Sequence, residues 1–241
     1  MKRFPHEFSR LVKAKVWNGR RTVRPIVRDK DRFRWFPFAV PPENVTGGIR
    51  LLERYMAPHL RPVRGPIDPV SITGMRKNYS EVLPKTLRNS AVSLNGVRSA
   101  AVSAAREIGL MDLLKSESLR EFAATVSGFR INADPALQLI RYMAGDYIGP
   151  HNDHHPEYPN LRDGYVDLQI TLANDGVARQ YFFHERGGFL NRSYNVGIAS
   201  GVSISILPFW HQVTPLEVRR GRAADAQRWL LLVSFEIGGR I

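Results

Sequence analysis

Gly149-Pro150-His151-Asn152-Asp153-His154-His155-Pro156 gathers histidine and carboxylate into one short segment. Ligands of this kind hold divalent transition metals. Pro150 and Pro156 bracket the histidines and work against a continuous helix. His151 and His155, four apart, therefore do not read as the helical zinc pair of a metalloprotease. Asn152 also stands where that pair would need its glutamate. In an extended segment residues i and i+2 face the same way, so His151 and Asp153 would reach one ion while Asn152 points away. Two ligands from one strand and a histidine from elsewhere leave one side of the ion open. That is the 2-His-1-carboxylate arrangement in which mononuclear iron(II) meets oxygen. His211, 58 residues beyond Asp153 and just after an alternating strand, is the distal candidate. His154 and His155 read as loop residues facing solvent or supporting the metal ligands from outside. His6, His59 and His184 lack partners at ligand spacing and read as structural, His184 closing a strand with a place near the substrate as the alternative.

Composition narrows the chemistry. The chain has 241 residues and no cysteine, so disulfides, thiolate catalysis, cysteine-ligated zinc and iron–sulfur clusters are excluded. Any metal must be held by His, Asp, Glu or backbone oxygen. No apolar run approaches the length of a spanning helix. Met1-Lys2-Arg3-Phe4-Pro5 lacks the apolar core of a secretory signal, so a soluble cytoplasmic protein without a membrane partner is expected. The net charge is +13, and residues 1–65 carry 16 Lys/Arg against 5 Asp/Glu. A basic segment of this kind is either a solvated surface or an attraction for an acidic partner, nucleic acid included.

The elements that must position these groups change character along the chain. Arg32-Phe33-Arg34-Trp35-Phe36-Pro37-Phe38 reads as an aromatic strand with a charged outer face, and residues 47–55 as a short amphipathic helix. Ala100, Ala101, Ala104, Ala105 and Ile108 recur at helical spacing up to a stop at Gly109. A second helix runs from about Ser116 to Gly128, with Leu119, Phe122, Ala123 and Val126 on one side. From residue 136 the period becomes that of strands: 137–142, 165–172 ending at Asn174-Asp175-Gly176, 180–183, 202–207 and 229–237. Short strands at this spacing form a sandwich or barrel. The expectation is a mainly β protein with N-terminal helices packed against the β core.

Three segments then occur in a telling order. Tyr142-Met143-Ala144-Gly145 precedes the His151/Asp153 pair. His211-Gln212-Val213-Thr214-Pro215 supplies the distal histidine, and Arg228 leads the final strand. Together, over about residues 137–237, they resemble the Fe(II)/2-oxoglutarate dioxygenase superfamily, and within it the prolyl 4-hydroxylase-type oxygenases. Residues 1–130 carry no such resemblance. The resemblance implies a double-stranded β-helix (jelly-roll, cupin-like) core over residues 131–241, with the basic, helix-bearing region 1–130 packed on it. It implies Fe(II) held by His151, Asp153 and His211, with 2-oxoglutarate chelating the iron through its C1 carboxylate and keto oxygen. O2 is the second co-substrate, and ascorbate is admitted as a reductant. The far carboxylate of 2-oxoglutarate needs a cation, and a bidentate arginine suits it. Arg228 matches by its place in the strand. Tyr142 and Thr171 match positions lining the co-substrate pocket, Thr171 where relatives often carry tyrosine.

The chain also departs from that pattern. Arg228 lies 17 residues after His211, a longer gap than the family's, and residues 217–226 read as an inserted loop. Arg220 and Arg222 are therefore rivals, with Arg228 favoured because it opens an alternating apolar strand. The activity implied is hydroxylation of an unactivated C–H bond in a peptide or protein side chain or an amino acid, with release of succinate and CO2. One alternative is oxidative demethylation of nucleic acid in the manner of AlkB-type enzymes, which the basic N-terminus would suit. Ile140 and Ser234 depart from that group's asparagine and second arginine. Another alternative is a non-catalytic, cupin-like metal- or ligand-binding module.

Overall fold

The computed structural model describes residues 10–11, 13, 25–26, 32–69, 83–96, 98–153, 164–186 and 189–240. His6, His154, His155 and most of the basic segment 1–31 lie outside them. Helix α1 (Pro42–Leu51) has proline at its first turn, where the missing N–H is no loss, and continues as a π turn to Met56. Helix α2 (Ala100–Glu107) starts at Ser99, whose hydroxyl accepts from the Val102 N–H. A short α3 (Leu110–Leu114) follows the Gly109 break. Helix α4 (Glu117–Ser127) is capped by Ser116 and ends at Gly128, whose φ of 81° is open to glycine at little steric cost. The expected stop at Gly109 and the span from Ser116 to Gly128 are where the pattern places them.

The strands are β1 (Phe33–Phe36), β2 (Arg61–Arg64), β3 (Leu87–Ser93), β4 (Phe129–Ile131), β5 (Ala136–Tyr142), β6 (Tyr147–His151), β7 (Tyr165–Ala173), β8 (Val177–Arg179), β9 (Tyr181–Arg186), β10 (Phe189–Asn195), β11 (Gly201–Ile206), β12 (His211–Val213), β13 (Glu217–Val218) and β14 (Arg228–Arg240). Twelve of them form one sheet, along the path β1-β11-β7-β14-β5-β3-β6-β12-β9-β10, with β2 on β3 and β4 on β14. The pairings are antiparallel. The sheet curls until its ends meet: Phe33 of β1 stacks on Phe182 of β9 with centroids 4.5 Å apart and lies 5.3 Å from Tyr194 of β10. The result is a nearly closed jelly roll that draws strands from both sides of residue 130.

Strand alternation divides the apolar residues into two cores. Trp229, Leu231, Val233 and Phe235 of β14, Leu137 and Leu139 of β5, and Val166, Leu168, Ile170 and Leu172 of β7 face outward. There they pack on Leu119, Phe122, Ala123 and Val126 of α4 and on the other helices. The inward positions of the same strands form the barrel interior. No helix among the described residues is long and apolar enough to cross a membrane.

Phe122 is fully buried beneath the sheet and meets the Phe36 ring at 5.8 Å. Truncation there removes a large ring from a packed layer. Phe122→Ala is expected to lower unfolding stability by about 3–5 kcal/mol, read as a fall in the urea midpoint at unchanged slope.

Candidate active site

Antiparallel pairing of β12 with β6 sets His211 directly opposite His151. The two imidazoles lie 4.1 Å apart. Each ring is pinned on its far side by a carbonyl two residues back: His151 Nδ1 donates to the Gly149 carbonyl at 2.8 Å and His211 Nδ1 to that of Phe209 at 2.9 Å. A carbonyl only accepts, so both Nδ1 atoms carry the proton and both Nε2 lone pairs are free to ligate. Those Nε2 atoms lie 3.5 Å and 3.4 Å from the Asp153 carboxylate oxygens. Among the described residues His151, Asp153 and His211 form the group that could hold a metal, their ligand atoms lying within 4.8 Å of one another.

The carboxylate arrives by a different route from the one expected. Strand β6 ends at His151, and Asp153 sits in a bend with φ 58°. The pair is therefore not an i, i+2 couple on one extended face. The left-handed bend, which aspartate tolerates better than most residues, swings the carboxylate back toward both imidazoles. Asn152 is buried rather than turned to solvent.

Electrostatics prepare these groups for a cation. Burial, with help from Lys85 and His211, pushes His151 down to about 4, outweighing the pull of Asp153. The ring is thus neutral at ordinary pH. Burial would raise the Asp153 carboxyl, but the Lys85 ammonium beside it holds it well below the usual carboxylate range. Lys85 donates to Asp153 Oδ1 at 2.6 Å. No spacing in the sequence singles Lys85 out. It arrives because β3 runs beside β6, with Leu87 opposite Ile148 and the Gly149 N–H on the Thr86 carbonyl.

The three groups open onto a cavity of about 360 Å3 inside the barrel. Arg228, Leu230 and Leu232 line it from β14, Gln138, Ile140 and Tyr142 from β5, and Asp167, Gln169 and Thr171 from β7. Arg228 is 2% exposed, and its guanidinium lies over the Tyr142 ring, 4.3 Å from its centroid. Its Nε and Nη2, and the Tyr142 hydroxyl, have no hydrogen-bond partner among the described residues. Burial pushes Tyr142 up to about 12, partly countered by Arg228, and lowers Arg228 itself. A buried cation with unused donors fits an anion, and a carboxylate matches its fork.

The rival arginines are elsewhere. Arg222 is bound to Asp175 and Asp225 on the surface, and Arg220 is exposed. The expected inserted loop holds β13, which pairs with β8 outside the barrel. His184 lies beside His211 in register and is fully buried among Phe33, Phe182, Tyr194 and Phe209. It does not line the cavity. His59 ends a short 3-10 turn and joins no metal-competent group among the described residues.

No family model and no curated protein matches this sequence. Solved structures do match. A prolyl hydroxylase from Trichoplax adhaerens, solved with a hypoxia-inducible-factor peptide fragment, superposes with a TM-score of 0.54 at 11% identity, covering 92% of this chain and 91% of that one. A 2OG-Fe(II) oxygenase family oxidoreductase from Burkholderia pseudomallei gives 0.52 at 14% identity, covering 93% and 92%. A Pseudomonas putida prolyl-4-hydroxylase gives 0.50 at 15% identity, covering 88% and 96%. The chain shares the fold of these 2OG-Fe(II) oxygenases and prolyl hydroxylases. In this 2OG-Fe(II) oxygenase fold the helices cover the outer face of the long sheet and leave the barrel interior to the triad and Arg228.

The depressed His151 gives a pH signature in the metal-free protein. Between pH about 6.5 and about 4 the unfolded chain binds a proton that folded His151 refuses. Stability therefore falls as pH falls through that window, by up to ~1.4 kcal/mol per pH unit. Urea midpoints of chelator-treated protein should show this slope, and His151→Asn should flatten it. Equal slopes in both proteins would mean that His151 titrates normally.

Proposed function

We propose that the chain is a non-haem iron dioxygenase that uses 2-oxoglutarate and O2 to hydroxylate an unactivated C–H bond. The supporting observation is one cavity with both parts of the required machinery on its wall. One part is three metal-ligating groups, and the other is a buried guanidinium with unused donors. His151 and His211 would hold Fe(II) through Nε2 and Asp153 through a carboxylate oxygen. Arg228 would take the far carboxylate of 2-oxoglutarate, with the Tyr142 and Thr171 hydroxyls as further donors. Bound together, iron and 2-oxoglutarate supply O2 activation and oxidising power, with release of succinate and CO2.

The chain's own residues do the positioning. The Gly149 and Phe209 carbonyls fix the imidazole tautomers. Asp153 stays ionised beside Lys85. Ile140, Leu230 and Phe182 keep water from the reacting centre, while Gln138, Gln169 and Ser203 offer hydrogen bonds to a substrate. For the substrate we favour a peptide or protein side chain or an amino acid. The support is the fold neighbour solved with a peptide fragment.

Protein prepared without oxygen and loaded with Fe(II) is expected to release succinate from 2-oxoglutarate when O2 is admitted. His211→Ala should abolish both iron binding and succinate. Protein that binds no iron and releases none would point instead to a non-catalytic binding module.

Arg228→Met is expected to keep iron binding but raise KM for 2-oxoglutarate at least about thirtyfold, ~2 kcal/mol for losing one partner of a buried charge pair. An unchanged KM would move the carboxylate site elsewhere.

A further inference from the structure

A second cavity, about 570 Å3, lies outside the barrel between α1 and the turns that follow β7 and β10. Its floor is apolar: Val40, Val45, Ile49 and Val177 are buried there. Helix α1 presents Pro42, Val45, Thr46, Ile49 and Arg50 to it, the spacing of one helical face. Three large hydrophobic side chains are more than half exposed among the described residues, and two of them, Phe38 and Ile198, border this cavity.

Phe38 is the less expected of the two. Its φ is 57°, in the left-handed region where a bulky side chain is strained. Asparagine or glycine would make the same turn at lower cost. The following residues Ala39 and Val40 are buried, so the turn holds the ring out above the apolar floor. The rim is basic. Arg50 and Arg219 are exposed and form no ion pair among the described residues, while the nearby Asp175 is engaged by Arg222 at 2.8 Å.

We infer that this groove is a docking site for an acidic peptide segment of a partner protein, bearing an aromatic or leucine-like anchor. The anchor would fill the floor between Phe38 and Ile198, and flanking carboxylates would meet Arg50 and Arg219. A second copy of the chain fits poorly. It would bring the same arginines toward a molecule that itself carries a net charge of +13.

The test is selection of a phage-displayed random peptide library on the full-length protein, with counter-selection on Ile198→Asp. Enriched peptides should combine Asp or Glu with an apolar anchor. The affinity of a selected peptide, followed by fluorescence anisotropy, should fall at least about tenfold in Ile198→Asp and in Arg219→Glu. It should weaken with salt and stay unchanged in His211→Ala. Both groove positions are exposed, and melting curves matching the wild type establish that these variants are folded. Absence of wild-type-dependent enrichment, or enriched peptides without acidic residues, would overturn the proposal. So would an affinity indifferent to both groove substitutions. Concentration-dependent dimerisation abolished by Ile198→Asp would assign the groove to a second copy and overturn it equally.

Discussion

The strict two-residue alternation of β14, wedged between β5 and β7, is the constraint on which the rest of the molecule depends. Its register sets Arg228 against Tyr142 on one side and Ala173 on the other, and Leu232 against Gln138 and Gln169. Alternation then sends Arg228, Leu230 and Leu232 into the cavity and Trp229, Leu231, Val233 and Phe235 under the helices. A slip of one residue would exchange the two sets. It would drive a guanidinium into the helix-covered core and open the cavity wall to tryptophan. Outer-core packing therefore secures the cavity chemistry. The apolar side chains buried beneath the helices make the wrong register costly, so Arg228 is held in a place where its own burial is unfavourable.

That unfavourable burial shows what the site is arranged to receive. A guanidinium removed from water with unused donors carries a penalty of several kcal/mol. The face of Tyr142, 4.3 Å away, offsets only part of it. At the triad the arrangement differs. His151 is kept neutral by burial and by Lys85, and the one carboxylate is kept charged by the same lysine. One stretch of wall thus offers lone pairs and a negative charge, and another a positive charge with open hydrogen-bond positions. A cation and a dianionic chelate would satisfy both.

Much of this was legible in the sequence wherever a period carried the information. The faces of β5, β7 and β14, the helix from Ser116 to Gly128 and the aromatic strand at Phe33 all follow from spacing. The superposed oxygenases agree with the resemblance that Tyr142, His151, His211 and Arg228 suggested. What was not legible has a common cause. The bend at Asp153 is one backbone angle, to which side-chain periodicity is blind. Lys85 reaches Asp153 only through the pairing of β3 with β6, between segments that lie far apart in the chain. The recruitment of β1 and β3 into the sheet is likewise a matter of long-range pairing.

The long gap between His211 and Arg228 looks at first like a threat to that register, because extra residues before a strand give its start freedom to slide. The loop is stapled instead. Arg222 grips both Asp175 and Asp225, and Asn174 accepts from the Gln227 N–H while donating to the Asp225 carbonyl. Gly176 packs so closely on Ala226 that a Cβ there would lie 2.9 Å from the Ala226 Cα. Exposed ion pairs contribute little singly. Here they act together with backbone bonds on the residues immediately before Arg228. The turn after β7 is thereby fastened to the entrance of β14, so the two strands start in step. The insertion that separates this chain from the usual spacing also carries the contacts that keep its arginine in place.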